Sequence, residues 1–346
     1  KNIGIGYSGG KITTASGNIG IGYGTLKEAT TGASNLAIGT DALDALTTGA
    51  NNIAIGPNAG SDITTGSSNI SIGDEANQRS TTGSAVISIG ENSLRNAGTG
   101  ISNGVFIGDN IASSSSASGT SNTAVGPNAI SQLTSGTHNT VLGRYAGYNI
   151  TTGDHNIGIG SSGLGYAFNH TDLTGDYNIG MGFESGHTIS SGAHNLVVGY
   201  QAGYNITTGT ENTIIGNTVL YGATSGKLFA SGQTGERFAV RNSGSLGIVE
   251  GCGAHGCEYM TGGTAIILGQ IGDNFRAGMT GGMAFIYDQK NDFENYVNPS
   301  SIIWQSIETD YWKNFLKENL KDFFKETNSL ITKKILENFD IEIKKF

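Results

Sequence analysis

The sequence predicts an all-β protein built from stacked repeats, and two observations support this prediction. The motif Asn-x-x-Ile-Gly, seen for example at residues 52–56, returns throughout the first two thirds of the 346-residue chain. Its closing glycines are mostly 17 residues apart, as are Gly39, Gly56 and Gly73. A short fixed period indicates one structural unit stacked on copies of itself, and 17 residues are too few for a pair of helices. We therefore predict an N-terminal β-solenoid, a thin β-roll.

Three residues of each copy alternate in the way expected of a β-strand. In Ile53-Ala54-Ile55 two aliphatic residues flank a small one. We expect the aliphatic side chains to face the core and the small residue to face outward, where another chain would pack closely. Small residues after the closing glycine, such as Ala59, followed by Ile63, predict a second short strand in each coil.

Glycine and asparagine mark the turns between these strands. A glycine such as Gly66, seven residues before each closing glycine, follows a Thr-Thr pair and predicts positive φ at a corner. The Asn that begins each motif is expected to stack on the next at about 4.8 Å and to exchange amide hydrogen bonds with it. This structural ladder consists of Asn35, Asn52, Asn69, Asn122, Asn139, Asn156, Asn178, Asn195 and Asn212. Val86 and Gly104 interrupt it.

Composition excludes several classes of protein. The 56 glycines have no Gly-X-Y period, so the chain is not collagen. The net charge of −9 gives no indication of nucleic-acid binding. Two cysteines are too few for a disulfide-rich scaffold. No stretch of about 20 apolar residues predicts a membrane span. The chain begins without Met, and we interpret it as a piece of a longer protein.

Three features are candidate sites. His138, His155 and His194 each precede a ladder Asn and should form an exposed column, but no carboxylate or cysteine repeats beside them. Residues 166–170 form an insertion, which we interpret as a bulge rather than a contact loop. Cys252-x-x-His255-x-Cys257 suggests a metal site or a thiol nucleophile, yet it lacks a fourth ligand. We therefore predict no catalytic, cofactor-binding or metal residue in this chain.

The repeats up to about residue 209 resemble the head repeats of trimeric autotransporter adhesins and the repeats of phage tail fibres. The resemblance rests on the Asn-x-x-Ile-Gly units and the Thr-Thr-Gly turns. It implies a rod-like trimeric shaft that holds a receptor-binding tip away from a surface. A 17-residue coil also buries too little apolar area to be stable alone. We therefore expect a homo-oligomer, most simply a trimer, that forms through the repeats.

After Gly216 the period stops and bulky residues appear. Residues 249–263, Val-Glu-Gly-Cys-Gly-Ala-His-Gly-Cys-Glu-Tyr-Met-Thr-Gly-Gly, resemble the C-terminal domain of the glutamate synthase large (alpha) subunit. That domain is named for spaced glycines, which we identify here as Gly244, Gly247, Gly251, Gly269, Gly272, Gly278 and Gly281. The resemblance implies a right-handed β-helix in an oxidoreductase of glutamate biosynthesis. In that family the helix is a non-catalytic scaffold between a glutaminase domain and a synthase domain carrying FMN and an iron–sulfur cluster, both absent here.

Three domains follow from these patterns. We place the repeat solenoid at residues 1–211, the β-helix at 212–300 and its capping helices at 301–346. Apolar spacing predicts helices over residues 311–324 and 329–346, with Ser329 as an N-cap. Residues 212–216 fit both families, which suggests a chimera. The adhesin-type roll is left-handed, so we expect a break between residues 212 and 226.

Two hypotheses of function remain. In the first, the chain is best described as the glutamate synthase scaffold, which is cytoplasmic and inactive by itself, fused to an unusual solenoid. In the second, it is a trimeric fibre or adhesin shaft of a virion or cell surface, with no enzymatic role. In both, the expected partners are copies of this chain or other domains of the parent enzyme, without nucleic acid or a membrane span.

Overall fold

The structure, a computed structural model, describes residues 1–7, 14–114, 117–165, 172–204, 207–210, 212–216, 219–298 and 302–346. The insertion predicted at residues 166–170 lies outside the described residues. The chain divides into two compact units, one of Lys1–Asn195 with Tyr204–Glu211 and one of Leu196–Gly203 with Asn212–Phe346. Parallel strands predominate in both, so the predicted all-β solenoid with C-terminal helices is confirmed.

In the first unit each coil contributes one three-residue strand, and successive strands pair in parallel and in chain order. The strands are β1 (Ile3–Ile5), β2 (Ile19–Ile21), β3 (Leu36–Ile38), β4 (Ile53–Ile55), β5 (Ile70–Ile72), β6 (Ile87–Ile89), β7 (Val105–Ile107), β8 (Thr123–Val125), β9 (Thr140–Leu142), β10 (Ile157–Ile159) and β11 (Ile179–Met181). Equivalent residues pair throughout, for example Ile53 with Ile70. The register therefore stacks each sequence position into a column.

The predicted facing of these strands is wrong. The middle residue is buried, as Ala54 is at 0% exposure, whereas Ile53 on the same strand is 36% exposed. The reason is the preceding Asn, which points inward because its amide is hydrogen-bonded inside the coil. Alternation then turns the first aliphatic residue outward and the small residue inward. In the coils around residue 54 the middle residue is small because Leu43, Leu46 and Ile63 fill the rest of the core.

The predicted second strand is not a strand in the described residues. Ala42 and Ala59 are buried as expected, but they lie in turns. The backbone there alternates in the sign of φ, with positive values at Asn58 (51°) and Gly60 (61°). The amide of Asn58 donates to Thr40 O in the preceding coil, and that of Gly60 donates to Ala76 O in the following coil. This segment therefore bonds between coils without the extended geometry of a strand.

Positive φ also falls elsewhere than predicted. The closing glycines carry it, for example Gly39 at 127° and Gly56 at 133°. A turn glycine such as Gly49 is required for a different reason, because a Cβ there would lie 2.2 Å from Gly66 O of the next coil. Close approach of two backbones, rather than an unusual dihedral angle, demands glycine at this corner.

The second unit contains two three-residue strands and four longer ones. Its elements are β12 (Leu196–Val198), β13 (Thr213–Ile215), β14 (Lys227–Thr234), β15 (Ser243–Cys252), β16 (Thr261–Ile267), β17 (Gly281–Ile286), a 3-10 helix (Phe293–Tyr296), α1 (Asp310–Thr327), α2 (Leu330–Glu337), α3 (Phe339–Glu342) and a final 3-10 helix (Ile343–Lys345). β12 pairs with β13, and β14 to β17 form a four-stranded parallel sheet in chain order. The second unit therefore includes β12 and β13, the last two strands whose sequences conform to the repeat motif.

The four-stranded sheet is buried on both faces, as parallel sheets usually are. Val249 and Ile267 face an inner core, and their neighbours Ile248 and Ile266 face the helices. The register aligns Phe229, Ile248, Ile266 and Phe285 in one row across the sheet. Leu316, Leu320 and Phe323 of α1 pack on the same cluster. The helices thus cover a face of the sheet, rather than only an open end.

The helix boundaries refine the predicted ones. The first helix runs over Asp310–Thr327 and ends at Asn328, whose φ of 54° is left-handed. The predicted second helix is divided at Asn338, where φ is −125° and ψ is 35°. Ser329 is the N-cap as predicted, since its side chain accepts a hydrogen bond from Thr332 N. No helix in the described part of the chain is both long and apolar enough to cross a membrane.

Candidate functional site: the asparagine ladder, the glycine motifs and the buried cysteines

In most coils one asparagine side chain forms hydrogen bonds with the neighbouring coils, and Asn52 is an example. Asn52 Nδ2 donates to Asn35 Oδ1 at 3.1 Å and to Gly66 O at 2.9 Å. Asn52 Oδ1 accepts from the backbone of Asn69 at 3.0 Å. The side chain is 1% exposed, so these bonds replace water in the interior. Each Asn therefore joins its own coil to the coils before and after it.

The ladder runs in two stretches. The first joins Asn35, Asn52 and Asn69 and also includes Asn18, which sequence reasoning missed; the second joins Asn122, Asn139, Asn156, Asn178 and Asn195. Asn212 lies directly before β13, and its carbonyl accepts from Leu196 N. Two residues interrupt the ladder, and neither leaves a hole. Val86 N still donates to Asn69 Oδ1, and a Cβ at Gly104 would lie 2.4 Å from the ring of Phe106, which fills that space.

The seven motif glycines lie where a neighbouring coil or side chain comes close. A Cβ would lie 2.2 Å from Thr224 O at Gly244, 2.3 Å from Glu250 O at Gly269 and 2.4 Å from Thr261 O at Gly281. At Gly272 it would lie 2.4 Å from Ala254 N. Gly247, Gly251 and Gly278 face side chains or a carbonyl at 2.6–3.0 Å. Backbone–backbone packing of adjacent coils therefore accounts for Gly244, Gly269, Gly272 and Gly281, whereas side-chain packing accounts for Gly247 and Gly278.

The two cysteines belong to the inner core. Cys257 is fully buried and Cys252 is 6% exposed, and both pack in the cluster that contains Phe238, Met260 and Phe275. Burial raises the pKa of the Cys257 thiol to about 12 and raises that of Cys252 well above its ordinary value. Both thiols are therefore protonated at neutral pH, and the thiolate is the form that attacks or binds metal.

The side chain of His255, unlike those of the two cysteines, is partly exposed to solvent. Its side chain is 35% exposed, and Nδ1 lies 3.8 Å from Glu258 Oε1. Its backbone is left-handed, and its amide donates to Asp273 O of the next coil. No group of three or more His, Cys, Asp or Glu side chains among the described residues is placed to hold a metal ion. Cys252, His255 and Cys257 are thus close in sequence, but among the described residues they do not form a set of metal ligands.

The predicted histidine column is present and includes a tyrosine. The rings of His138 and His155 stack at 4.8 Å, His155 stacks on Tyr177 at 4.8 Å, and Tyr177 stacks on His194 at 5.1 Å. All four side chains are exposed. Tyr177 directly precedes Asn178, as each of the three histidines precedes its own Asn. This shared position would have placed Tyr177 in the column from the sequence alone.

Two carboxylates join the helices to the sheet, and sequence reasoning identified neither. Glu250 Oε1 on β15 accepts from Ser231 Oγ at 3.1 Å and from Ser329 Oγ at 2.5 Å. Glu342 Oε2 accepts from Lys345 Nζ at 2.6 Å and from Tyr287 Oη at 2.5 Å. The bonds from Lys345 and then Tyr287 lower the pKa of the Glu342 carboxyl. Both interactions are structural anchors.

Comparison with known proteins adds relatives that share part of this chain. It is 58% identical over 122 residues to the glutamate synthase (NADPH) large chain of Azospirillum brasilense, a match covering 35% of this chain and 8% of that protein. It is 46% identical over 121 residues to the ferredoxin-dependent glutamate synthase of Antithamnion sp., with 35% and 8% covered. The corresponding Bacillus subtilis large chain is 42% identical over 123 residues, also with 35% and 8% covered. The chain thus spans only a small part of the length of these relatives.

A family described as the GXGXG motif matches residues 138–346. The match covers more than half of the chain and begins within the repeats. It also contains all seven spaced glycines, whose close contacts between coils are described above. By this match the chain belongs to the GXGXG motif family.

Proposed function

We propose that residues 212–346 serve as the non-catalytic structural domain of a glutamate synthase. In this role the stacked coils hold a glutaminase domain and a synthase domain at a fixed separation. The identity to three glutamate synthases supports the proposal. The chain covers 8% of each of those proteins, so the whole enzyme's activity requires domains beyond this chain.

The observation that carries this proposal is the use of the motif glycines. Gly244, Gly269 and Gly281 each lie against the backbone of a neighbouring coil, at distances that admit no side chain. A glycine motif that cradles a phosphate leaves its backbone amides free for the ligand. These glycines instead bring successive coils together, which is the property needed of a rigid spacer.

The scaffold role assigns the cofactors to other domains. FMN and the iron–sulfur cluster would reside in the synthase domain of the parent enzyme, and this chain would bind neither. The buried thiols of Cys252 and Cys257 are consistent with this assignment, because both are protonated at neutral pH. A cytoplasmic location follows from the same proposal.

The test is an assay of the chain by itself. We expect no release of ammonia from glutamine and no glutamine-dependent oxidation of NADPH. We also expect no flavin or iron–sulfur absorption after reconstitution with FMN, iron and sulfide. If the purified chain hydrolysed glutamine, and if this activity remained with the chain through further purification, the proposal would be contradicted.

A second proposal concerns the repeats: that they form a trimeric fibre or adhesin shaft on a virion or cell surface, joined as a chimera to the glutamate synthase-like part. The observation that favours it is the uncharged outward face of β1–β11, which a lone shaft would leave in water. Expressed in its native host, such a protein would be found in virions or at the cell surface. Recovery only in the cytoplasmic fraction would contradict this proposal.

A further inference from the structure

The interruption of the asparagine ladder leaves one backbone amide without a hydrogen bond. In the regular coils the amide of the ladder residue donates to the Asn Oδ1 of the preceding coil, as Asn52 N does to Asn35 Oδ1 at 2.9 Å. Gly104 holds the ladder position one coil after Val86, whose side chain offers no acceptor. Gly104 is buried, and its N–H donates to no described residue. Buried amides are almost always paired, so this one is an exception within the stack.

The residue before this amide carries a side-chain carbonyl carbon that the Gly104 nitrogen can attack. Asn103-Gly104 is the only Asn-Gly pair in the sequence. Asn103 is exposed, and its side chain forms no hydrogen bond with a described residue. Glycine has no Cβ to obstruct the approach of its nitrogen to the Asn side chain. Nucleophile and electrophile are therefore adjacent, and neither is held by another partner among the described residues.

We propose that Asn103 is a site of spontaneous deamidation, at which this chain converts an amide into a carboxylate. Gly104 N attacks Asn103 Cγ, so the N–Cγ bond forms and closes a succinimide ring. The Cγ–Nδ2 bond breaks, and Nδ2 leaves as ammonia with the proton released from Gly104 N. Water then opens the ring, at Cγ to give aspartate or at the main-chain carbonyl to give isoaspartate. Water is the only co-reactant, and the first step is intramolecular, which favours it where the groups are adjacent.

Asn51 provides an internal comparison, because it occupies the same corner of an earlier coil. Both residues are exposed and left-handed, with φ of 60° at Asn51 and 56° at Asn103. The amide that follows Asn51 is Asn52 N, which is held by Asn35 Oδ1. The corner geometry is therefore shared, whereas the free amide and the glycine are particular to Asn103. This reactivity does not depend on the proposed glutamate synthase role.

Isoaspartate at this position would disturb the stacking of two coils. Asn103 N donates to Ser84 O at 3.0 Å, and Gly104 O accepts from Ile87 N at 2.9 Å. Isoaspartate adds a methylene group to the main chain between these two hydrogen bonds. Both bonds join the chain to the same preceding coil, so the longer chain cannot keep both in their present geometry. Deamidation at Asn103 thus couples the change of a side chain to a local loss of register.

The first test is to age the full chain at mildly alkaline pH and to map its peptides by mass spectrometry, with a separation that resolves aspartate from isoaspartate. We expect deamidation at Asn103 to be at least about tenfold faster than at Asn51, since a hydrogen bond that holds the attacking amide is worth about that factor. The aged protein should also show faster hydrogen exchange of the Ile87 amide. A rate at Asn103 no higher than at Asn51 would overturn the proposal.

The second test separates the free amide from the Asn-Gly sequence itself. Val86→Asn offers an Oδ1 acceptor to Gly104 N and leaves Asn103 unchanged, so native deamidation should slow about tenfold. The matched control, Val86→Ala, adds no acceptor and should not slow it. Slow hydrogen exchange of the Ile70 amide, which donates to the carbonyl of residue 86 at 2.8 Å, verifies that the variant coil is folded. An unchanged rate at Asn103 in folded Val86→Asn would overturn the proposal.

Discussion

A buried side-chain amide is costly unless all its groups are bonded, and in this protein Asn52 is bonded to the coil before it and to the coil after it. The amide of Asn52 contacts Asn35, Gly66 and Asn69. Its Nδ2–H groups cannot be replaced by an apolar side chain without leaving the carbonyl of Gly66 unpaired. The Asn at this position thus contributes to cohesion along the stack rather than to a binding site.

We predict that Asn52→Ala destabilises the coils around residue 52 by about 2–4 kcal/mol, because Asn69 N and Gly66 O both lose a buried partner. Hydrogen exchange measured for each amide is the appropriate readout, since a repeat stack need not unfold in one step. The Asn69 amide should exchange at least about 30-fold faster than in the unaltered chain. Thr65→Ala on the exposed turn is the control, and an unchanged rate at Asn69 in Asn52→Ala would contradict this role.

The cysteines provide a second test at this scale. Because burial raises the pKa of both thiols, neither should react with a disulfide reagent at about pH 8 while the protein is folded. Both should react at once in concentrated guanidinium chloride. The Thr65→Cys variant gives the positive control, with one reactive thiol in the folded state. Stoichiometric modification of Cys252 or Cys257 in the native chain would show that the turn is accessible.

At the scale of elements, the outward faces of the strands differ between the two units: helices cover those of β14–β17 in the second unit, and no described helix belongs to the first unit. In the second unit the helices pack against the sheet, with Phe229 and Phe323 in edge-to-face contact at 5.7 Å. Ser329 also connects the start of α2 to Glu250 on β15. Packing and hydrogen bonding therefore act together to hold the helices on the sheet.

The last anchor predicts a pH dependence. The pKa of Glu342 is lowered in the folded state, first by the hydrogen bond from Lys345 and then by that from Tyr287. A lowered pKa contributes stability above the ordinary value of 4.5, and that contribution is lost as the pH falls through the folded pKa. We expect Glu342→Gln to be less stable than the unaltered chain at about pH 6, with the difference shrinking toward about pH 3. Thermal unfolding across this pH range measures the difference in stability. A difference that stays constant with pH would contradict the prediction. The control is Glu326→Gln on the exposed side of α1, which should be as stable as the unaltered chain across the range.

Sequence reasoning identified the strands but assigned their faces wrongly. Aliphatic residues usually point inward, and this rule placed Ile53 in the core. The buried hydrogen bonds of Asn52 instead fix the alternation, and a sequence does not show that an amide has three partners one coil away. The prediction of a second strand was wrong for a similar reason, because the turn around Asn58 and Gly60 resembles a strand only in its buried alanine, Ala59.

At the scale of the whole molecule, the 17-residue period was sufficient to predict a β-solenoid, and apolar spacing was sufficient to predict the C-terminal helices. The anchors of the second unit were not predictable, because Glu250 and Ser329 are 79 residues apart in the chain. Local patterns thus determine the coils, whereas long-range contacts determine how their faces are used.

We propose above that residues 212–346 are a spacer whose motif glycines pack its coils, and this is the claim to test first. The most direct test replaces the matching segment of the Azospirillum brasilense large chain with the corresponding residues of this chain and measures glutamine-dependent oxidation of NADPH. We predict activity within about threefold of the parent enzyme, because under the proposed scaffold role the replacement would keep the catalytic domains at the same separation. Gly269→Ala in the graft should abolish most of it, since the added methyl group would meet Glu250 O at 2.3 Å, whereas Lys290→Ala at the surface should not. A folded graft without activity, or full activity with Gly269→Ala, would contradict the claim.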